Sequence, residues 1–454
     1  MAGKSDRLTI FMYPWFAMGH ITSYLLTANK FAERGHKIVI IIPPKAQSKL
    51  GALNLHPQLI QFRFISIPHV EGLPSHVETT NDVAIQGQDL LRHALDLTQP
   101  AVESMLVGLK PDFIFFDLMH WLSALGRRLQ IKSIYYCTVS PVALGFMFAK
   151  GPSIENIIKG PPGFPRSVKL YKHAARDVQW MGTAKELGSG LTLKQRLMTS
   201  MCDSDAIGFK TCIEIEGVYC EFLEKKLDKP ILVTGPILVQ KTQANNLINV
   251  DDEKWDIWLN GFQSKTVIFC AFGSEAVLEQ RQFEQLLLGI ELTGLPFAIA
   301  LRPPIGFETI EEAIPNGFKE RTQERGVVDG GWVPQQLILK HPAVGCFVTH
   351  CGYGSSWEGL TSECQLVLLP HLADQYFNAR LLSEDLRVGV EVEKGDEDGV
   401  FTKEGVHGAI MAAMADDSRI GKEIRANHEK LRELFNEEFE DSCFDNFIQK
   451  LRSL

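Results

Sequence analysis

The chain has 454 residues, 45% hydrophobic and 22% charged, with a formal charge of -9 and a sequence pI near 5.9. That length exceeds what one hydrophobic core organises and predicts two domains of about 200 residues each. The acidic balance excludes an extended nucleic-acid surface, which needs a basic stripe, so an anionic ligand must be held by local groups.

The opening MAGKSDRLTIFMYPWF has an aspartate before its apolar run, a proline within it and no small-residue cleavage pattern. It predicts a first strand, LTIFMY (Leu8 to Tyr13), rather than a signal peptide. Ile21, Leu25, Ala28 and Phe31 or Ala32 then fall at helical spacing up to Gly35, and KIVIII (Lys37 to Ile42) stops at Pro43 and Pro44. Strand, helix, strand at this spacing is a βαβ unit of a parallel sheet. FRFISI (Phe62 to Ile67), DFIFFD (Asp112 to Asp117) and SIYYC (Ser133 to Cys137) are near-continuous apolar runs, as strands covered on both faces should be. The Gly- and Pro-rich segment Gly151 to Arg196 reads as loops and short helices that shape a ligand pocket.

After PILVTGPI (Pro230 to Ile237), the polar LVQKTQANNLINVDDE has no apolar period and reads as a linker. The alternation then restarts with TVIFCAFGS, a helix near Gln280 to Thr293, FAIAL, GCFVTH, LVLLP and VGVEV. Two tail helices follow, one through Ile420, Ile424, Leu431 and Leu434, the other through Phe444, Phe447, Ile448, Leu451 and Leu454. The expected organisation is α/β: an N-terminal domain over 1–238, a linker over 239–250, a second domain over 251–435, and a helix in 436–454 packing back on the first. Two doubly wound, Rossmann-like halves would face each other across a cleft. Nine cysteines, without CxxC spacing and mostly inside apolar runs, read as reduced, buried thiols of a cytoplasmic protein. No window reaches the roughly 20 apolar residues of a membrane-spanning helix.

FVTHCGYGSSWEGL, Phe347 to Leu360, has the layout of a strand, a glycine turn and a helix start, where free N–H groups can meet an anion. Ser355 to Glu358 also fits S-x-x-E, a capping box in which Glu358 would satisfy only backbone donors. In its wider setting, WVPQQLILKHPAVGCFVTHCGYGSSWEGLTSECQLVLLPHLADQYFNAR (Trp332 to Arg380) resembles the signature box of plant UDP-sugar-dependent glycosyltransferases of GT-B fold. The resemblance implies a donor site. Trp332, followed by Val333, would stack on uracil; Gln335 and Glu358 would hold the ribose; His350, Gly352, Tyr353, Gly354 and Ser355 would line the diphosphate. Asp374 and Gln375 would bind sugar hydroxyls, with Ser274 near the phosphates and Thr138 near the sugar. Tyr353 and Gly354 depart from the family's usual Trp-Asn. Such a departure is familiar among enzymes that extend flavonoid-bound sugars.

The same resemblance makes His20, in YPWFAMGHITSYL, the general base, and Asp117 its orienting partner. Taken alone, each has a plain alternative, a helix cap for His20 and a strand-end turn for Asp117. A helix N-terminus should also help keep His20 unprotonated. The implied activity is inverting transfer from a UDP-sugar to a hydroxyl of a flavonoid or anthocyanin 3-O-glycoside, on its sugar, by a monomer without a metal or other cofactor. Gln375 favours glucose; UDP-xylose and UDP-rhamnose donors, an aglycone or terpenoid glycoside acceptor, a nucleotide-sugar epimerase or phosphorylase, and a non-catalytic binding protein stand as alternatives.

Overall fold

The computed structural model describes residues 7–151, 153–166, 168, 170–237, 250–273, 275–415 and 417–454. Among the described residues thirteen strands form two sheets, parallel throughout. The first holds β1 (Thr9–Tyr13), β2 (Lys37–Ile42), β3 (Ile60–Phe64), β4 (Phe113–Phe116), β5 (Lys132–Cys137), β6 (Ala206–Phe209) and β7 (Ile231–Val233). The second holds β8 (Val267–Ala271), β9 (Phe297–Ala300), β10 (Gly326–Asp329), β11 (Val344–Thr349), β12 (Gln365–Leu368) and β13 (Gly389–Glu391). Their orders, β3-β2-β1-β4-β5-β6-β7 and β10-β9-β8-β11-β12-β13, both reverse direction beside their first strand. This is the doubly wound pattern, in which a crevice opens beyond the carboxyl ends of the strands at the reversal.

The apolar runs become central strands because both faces are covered: β1, β4, β8 and β11 are buried along nearly their whole length. FRFISI forms a strand two residues earlier than expected, at Ile60–Phe64. The strands β6, β7 and β10 go beyond the sequence expectation; Gly208 interrupts the apolar run of β6, Gly326 opens that of β10, and β7 is followed at once by Thr234 and Gly235. The insert 151–196 contains two helices, Ile154–Lys159 and Lys172–Thr183, and the start of a third, Leu193–Asp203. The expected linker lies outside the described residues, apart from Val250 at the start of helix Val250–Leu259. The described cysteines carry no disulfide, and Cys202 and Cys443 are the two that are not buried.

Helix Glu437–Arg452 lies on the first sheet's side of the molecule. Phe444 meets Phe31 at a centroid distance of 5.0 Å and Phe447 at 5.7 Å, and Phe447 also reaches Phe115 at 6.3 Å. Buried Lys30 pairs with buried Glu440 at 3.2 Å, and Arg34 with Asp441 and Asp445 at 2.8 and 2.5 Å. A second apolar core spans both halves, joining Val142, Phe146, Cys212 and Tyr219 to Cys351, Tyr353, Trp357 and Phe377. The two sheets are therefore held by a shared interior as well as by polar contacts.

Candidate active site

The first sheet reverses between β1 and β4. From β1 the chain turns through Trp15 into helix Met18–Glu33, placing His20 in the first turn; β4 ends at Phe116, leaving Asp117 on the adjacent strand end. Although 97 positions apart, His20 Nδ1 and Asp117 Oδ2 lie at 2.6 Å. Asp117 Oδ1 accepts the N–H groups of Trp15 at 2.7 Å and Leu118 at 2.6 Å, so the carboxylate is fixed by both strand ends. This bonding assigns the ring proton to Nδ1 and leaves the lone pair on Nε2. The His20 side chain remains 26% exposed while that of Asp117 is 3% exposed, so the imidazole can be reached from outside and the carboxylate cannot.

Burial disfavours the imidazolium, but the hydrogen bond and charge of Asp117, aided by Glu275 and Asp374, outweigh it and raise the His20 pKa above 6.5. The expectation that the helix end keeps the ring neutral is thus overridden by the carboxylate. Thr138, expected near the sugar, stands at the ring itself, with Oγ1 2.8 Å from Nδ1 and 3.3 Å from Nε2.

The facing site is built at the reversal between β8 and β11. His350 follows β11 and is buried against Gly273 and Gly352; a Cβ on Gly352 would stand 2.4 Å from His350 Nε2, so glycine is required there for space. Burial lowers the His350 pKa to about 4, making it a neutral imidazole at pH 7, and its Nδ1 has no hydrogen-bond partner among the described residues. Helix Tyr353–Thr361 begins directly after Gly352 with no side chain capping it, which leaves first-turn N–H groups for a ligand. Buried Ser356 Oγ, which the sequence reading passed over, is likewise unpartnered.

Trp332 is 77% exposed, with its indole face open, while its neighbour Val333 is buried. Glu358 is no capping residue. The helix starts two residues before Ser355, and the carboxylate instead accepts Gln335 Nε2 at 2.5 Å and Gln336 Nε2 at 2.9 Å. Gln335 Nε2 also reaches Ser355 Oγ at 3.1 Å. Gln335, Gln336, Ser355 and Glu358 therefore form one hydrogen-bonded group, and exposed Trp332 lies three positions before Gln335 in the chain.

Asp374 is pushed up to about 6 by burial, and it and His20 feel each other's charge across the cleft. Asn378 donates to Asp374 Oδ2 and to the Cys351 carbonyl, both at 2.9 Å, tying together the loops that follow β11 and β12. Those loops hold left-handed non-glycine residues, Cys351 at φ 63 and Ala373 at φ 55, a strain that only a well-packed surround sustains. Asn378, four residues after Asp374, was legible only as part of a motif.

Some expectations change. Gln375 Oε1 accepts the N–H groups of His371 and Leu372 at 2.9 and 3.1 Å, so only its amide nitrogen is left for a sugar. The Tyr353 side chain does not line the diphosphate position: it is buried, with its hydroxyl on Glu216 Oε2 at 2.7 Å and the Lys210 carbonyl at 3.1 Å. Only its backbone could meet a phosphate. Gly354 lies inside the helix, and a Cβ there would meet nothing within 4 Å. Ser274 lies outside the described residues.

Two doubly wound parallel sheets, one with a His–Asp pair at its reversal and the other with an uncapped helix start at its own, are the architecture of a GT-B protein. Residues 314–424 match the family described as UDP-glucoronosyl and UDP-glucosyl transferase. The chain is 47% identical over 98% of its length to the cyanidin 3-O-galactoside 2''-O-xylosyltransferase of Actinidia chinensis var. chinensis, covering 98% of that protein. It is 44% identical to the anthocyanidin 3-O-glucoside 2''-O-glucosyltransferase of Ipomoea nil, with 100% of each covered. The fold matches UGT73P12 of Glycyrrhiza uralensis complexed with glycyrrhetinic acid 3-O-monoglucuronide, with a TM-score of 0.83 at 22% identity over 99% of this chain and 96% of that one. It also matches UGT89C1 of Arabidopsis thaliana complexed with UDP-L-rhamnose, with a TM-score of 0.78 at 22% identity over 99% of each. The chain belongs to the plant family 1 UDP-glycosyltransferases and is a UDP-glycosyltransferase.

Proposed function

We propose that the protein transfers a sugar from a UDP-sugar to a sugar hydroxyl of an anthocyanin or flavonoid 3-O-glycoside, with inversion at the anomeric carbon. The observation that carries the reading is the His20–Asp117 pair, 2.6 Å apart, with Nε2 left as the basic nitrogen. Nε2 takes the acceptor hydroxyl proton as that oxygen attacks the anomeric carbon, the bond to UDP breaks, and Asp117 stabilises the imidazolium. Trp332 stacks on uracil, Glu358 and Gln335 face the ribose, and Asp374 with the Gln375 amide faces the sugar. The charge on departing UDP is met by the first-turn N–H groups of helix Tyr353–Thr361 and by neutral His350 as a donor.

The acceptor class is supported by the activities named for the Actinidia and Ipomoea proteins, both of which act on a 3-O-glycoside. These two names differ in the sugar delivered, one xylose and the other glucose, so the donor is decided by assay. Among the described residues no three His, Cys, Asp or Glu side chains are grouped to hold a metal, and activity is expected to survive chelator treatment. Incubation with UDP-glucose, UDP-xylose or UDP-rhamnose and cyanidin 3-O-glucoside or 3-O-galactoside should give a diglycoside, lost on His20→Ala with UDP binding kept. No product with any of these donors across an acceptor panel would refute the proposal.

A further inference from the structure

Three buried tyrosines bond to carboxylates of the opposite half: Tyr219 to Asp385, Tyr376 to Asp177 at 2.6 Å, and Tyr353 to Glu216 at 2.7 Å. The third is unlike the others because of where it starts. Tyr353 is the first residue of helix Tyr353–Thr361, the helix whose N-terminus faces the leaving diphosphate in the reading above. Its ring packs edge-on against Trp357 at 6.4 Å, one turn further along. Its hydroxyl reaches into the first half, where Glu216 also accepts Thr211 Oγ1 at 2.7 Å.

Glu216 is held in an unusual way. It sits inside helix Ile213–Leu227 at a break in the helical backbone, φ -125 and ψ 16. It is fully buried, with Oε1 unpartnered among the described residues, and burial, opposed by Thr211, Tyr353 and the Val142 backbone, pushes its pKa up to about 7. A carboxyl kept under such conditions, with a bent helix around it, answers to no packing need that an apolar residue would not meet better. What it does provide is an acceptor for Tyr353. Tyr219 lies one turn further on the same helix, so helix Ile213–Leu227 receives one cross-boundary bond and makes another.

We propose that Tyr353 is a positioning residue for sugar transfer: its bond to Glu216 fixes the first turn of helix Tyr353–Thr361, and with it Gly354, Ser355 and Glu358, against the acceptor-bearing half. This rests on the donor-site reading given above. Donor binding and the closed arrangement of the two halves are then one equilibrium, because the group that orients the diphosphate-facing turn is anchored in the other half. Tyr353→Phe keeps the ring in its apolar surround and removes only the hydroxyl.

The expected result for Tyr353→Phe is a KM for the UDP-sugar raised about 5- to 30-fold, with kcat at saturating donor and the acceptor KM both within twofold of wild type. That range is one hydrogen bond of about 1–2 kcal/mol, or that to a charged group, converted at 1.4 kcal/mol per tenfold. Glu216→Gln retains a carbonyl for the tyrosine and should stay near the wild-type KM. In the Glu216→Gln background the effect of Tyr353→Phe should persist. A Tyr353→Phe enzyme that loses thermal stability while its donor KM stays within twofold of wild type would overturn the proposal, leaving the donor site intact. Failure of the wild-type protein to bind UDP would instead overturn the reading beneath it.

Discussion

Asp117→Asn is the sharpest test of the base dyad because the asparagine's orientation is decided in advance. The position's Oδ1 accepts two backbone N–H groups, from Trp15 and Leu118, and only an oxygen can do so. The new amide nitrogen must then face His20 Nδ1, which has to become an acceptor, and the ring proton moves to Nε2. The nitrogen that should take the acceptor proton is blocked. Restoring the working tautomer forfeits a hydrogen bond, and the imidazolium formed during reaction loses its charge-assisted partner; at about 1.5–3 kcal/mol each, the barrier rises by roughly 3–6 kcal/mol. That is about 10²- to 10⁴-fold in kcat. The assay is chromatographic measurement of the diglycoside at saturating UDP-sugar, with calorimetric UDP affinity and melting temperature unchanged as the control. A variant with kcat within threefold of wild type would refute the argument.

His20 must be neutral to accept a proton and its pKa is raised, so kcat should fall as pH drops through a value above 6.5, and in Asp117→Asn that inflection should move downward. Trp332→Ala removes an exposed indole and should leave the melting temperature unchanged while weakening UDP binding by about 5- to 150-fold, the value of one base–aromatic stack of roughly 1–3 kcal/mol; calorimetry reads it. Gly354→Ala meets nothing within 4 Å inside a helix and should stabilise the protein by about 0.5–1 kcal/mol in denaturant titration. Phe444→Ala empties a site among Phe31 and Phe447 and should cost about 3–5 kcal/mol, with tryptophan fluorescence following the loss.

The sequence discloses the elements whose burial is continuous. LTIFMY, KIVIII, DFIFFD and GCFVTH read as strands because both faces are covered, and the turn residues after them mark where chemistry gathers. AIGF, ILV and GVVD are no shorter than strands that do read from the sequence, but Gly208 breaks the apolar run of the first, Gly326 opens the last, and Thr234 and Gly235 close ILV, so they owe their form to the neighbour's ladder. The same contrast holds at the site. His20 and Asp117 are visible at strand ends, and family resemblance pairs them. The Tyr353–Glu216 bond joins residues 137 apart, and nothing local to either announces it. The capping-box alternative at Ser355 fails because the pattern does not say where the helix begins; Tyr353 enters the helix first, leaving Glu358 to the glutamines.

The contact of helix Glu437–Arg452 with Phe31 and Phe115 also orders events during synthesis. Arg34 meets Asp445 across 411 positions, so the face of the first sheet that takes Phe444 and Phe447 stays open until nearly all of the described chain has been made. The second sheet's strands and their crossover helices are complete before then. The half that is translated first is therefore the half that finishes folding last, and its uncovered phenylalanines are a surface for chaperones or for misassembly during that interval.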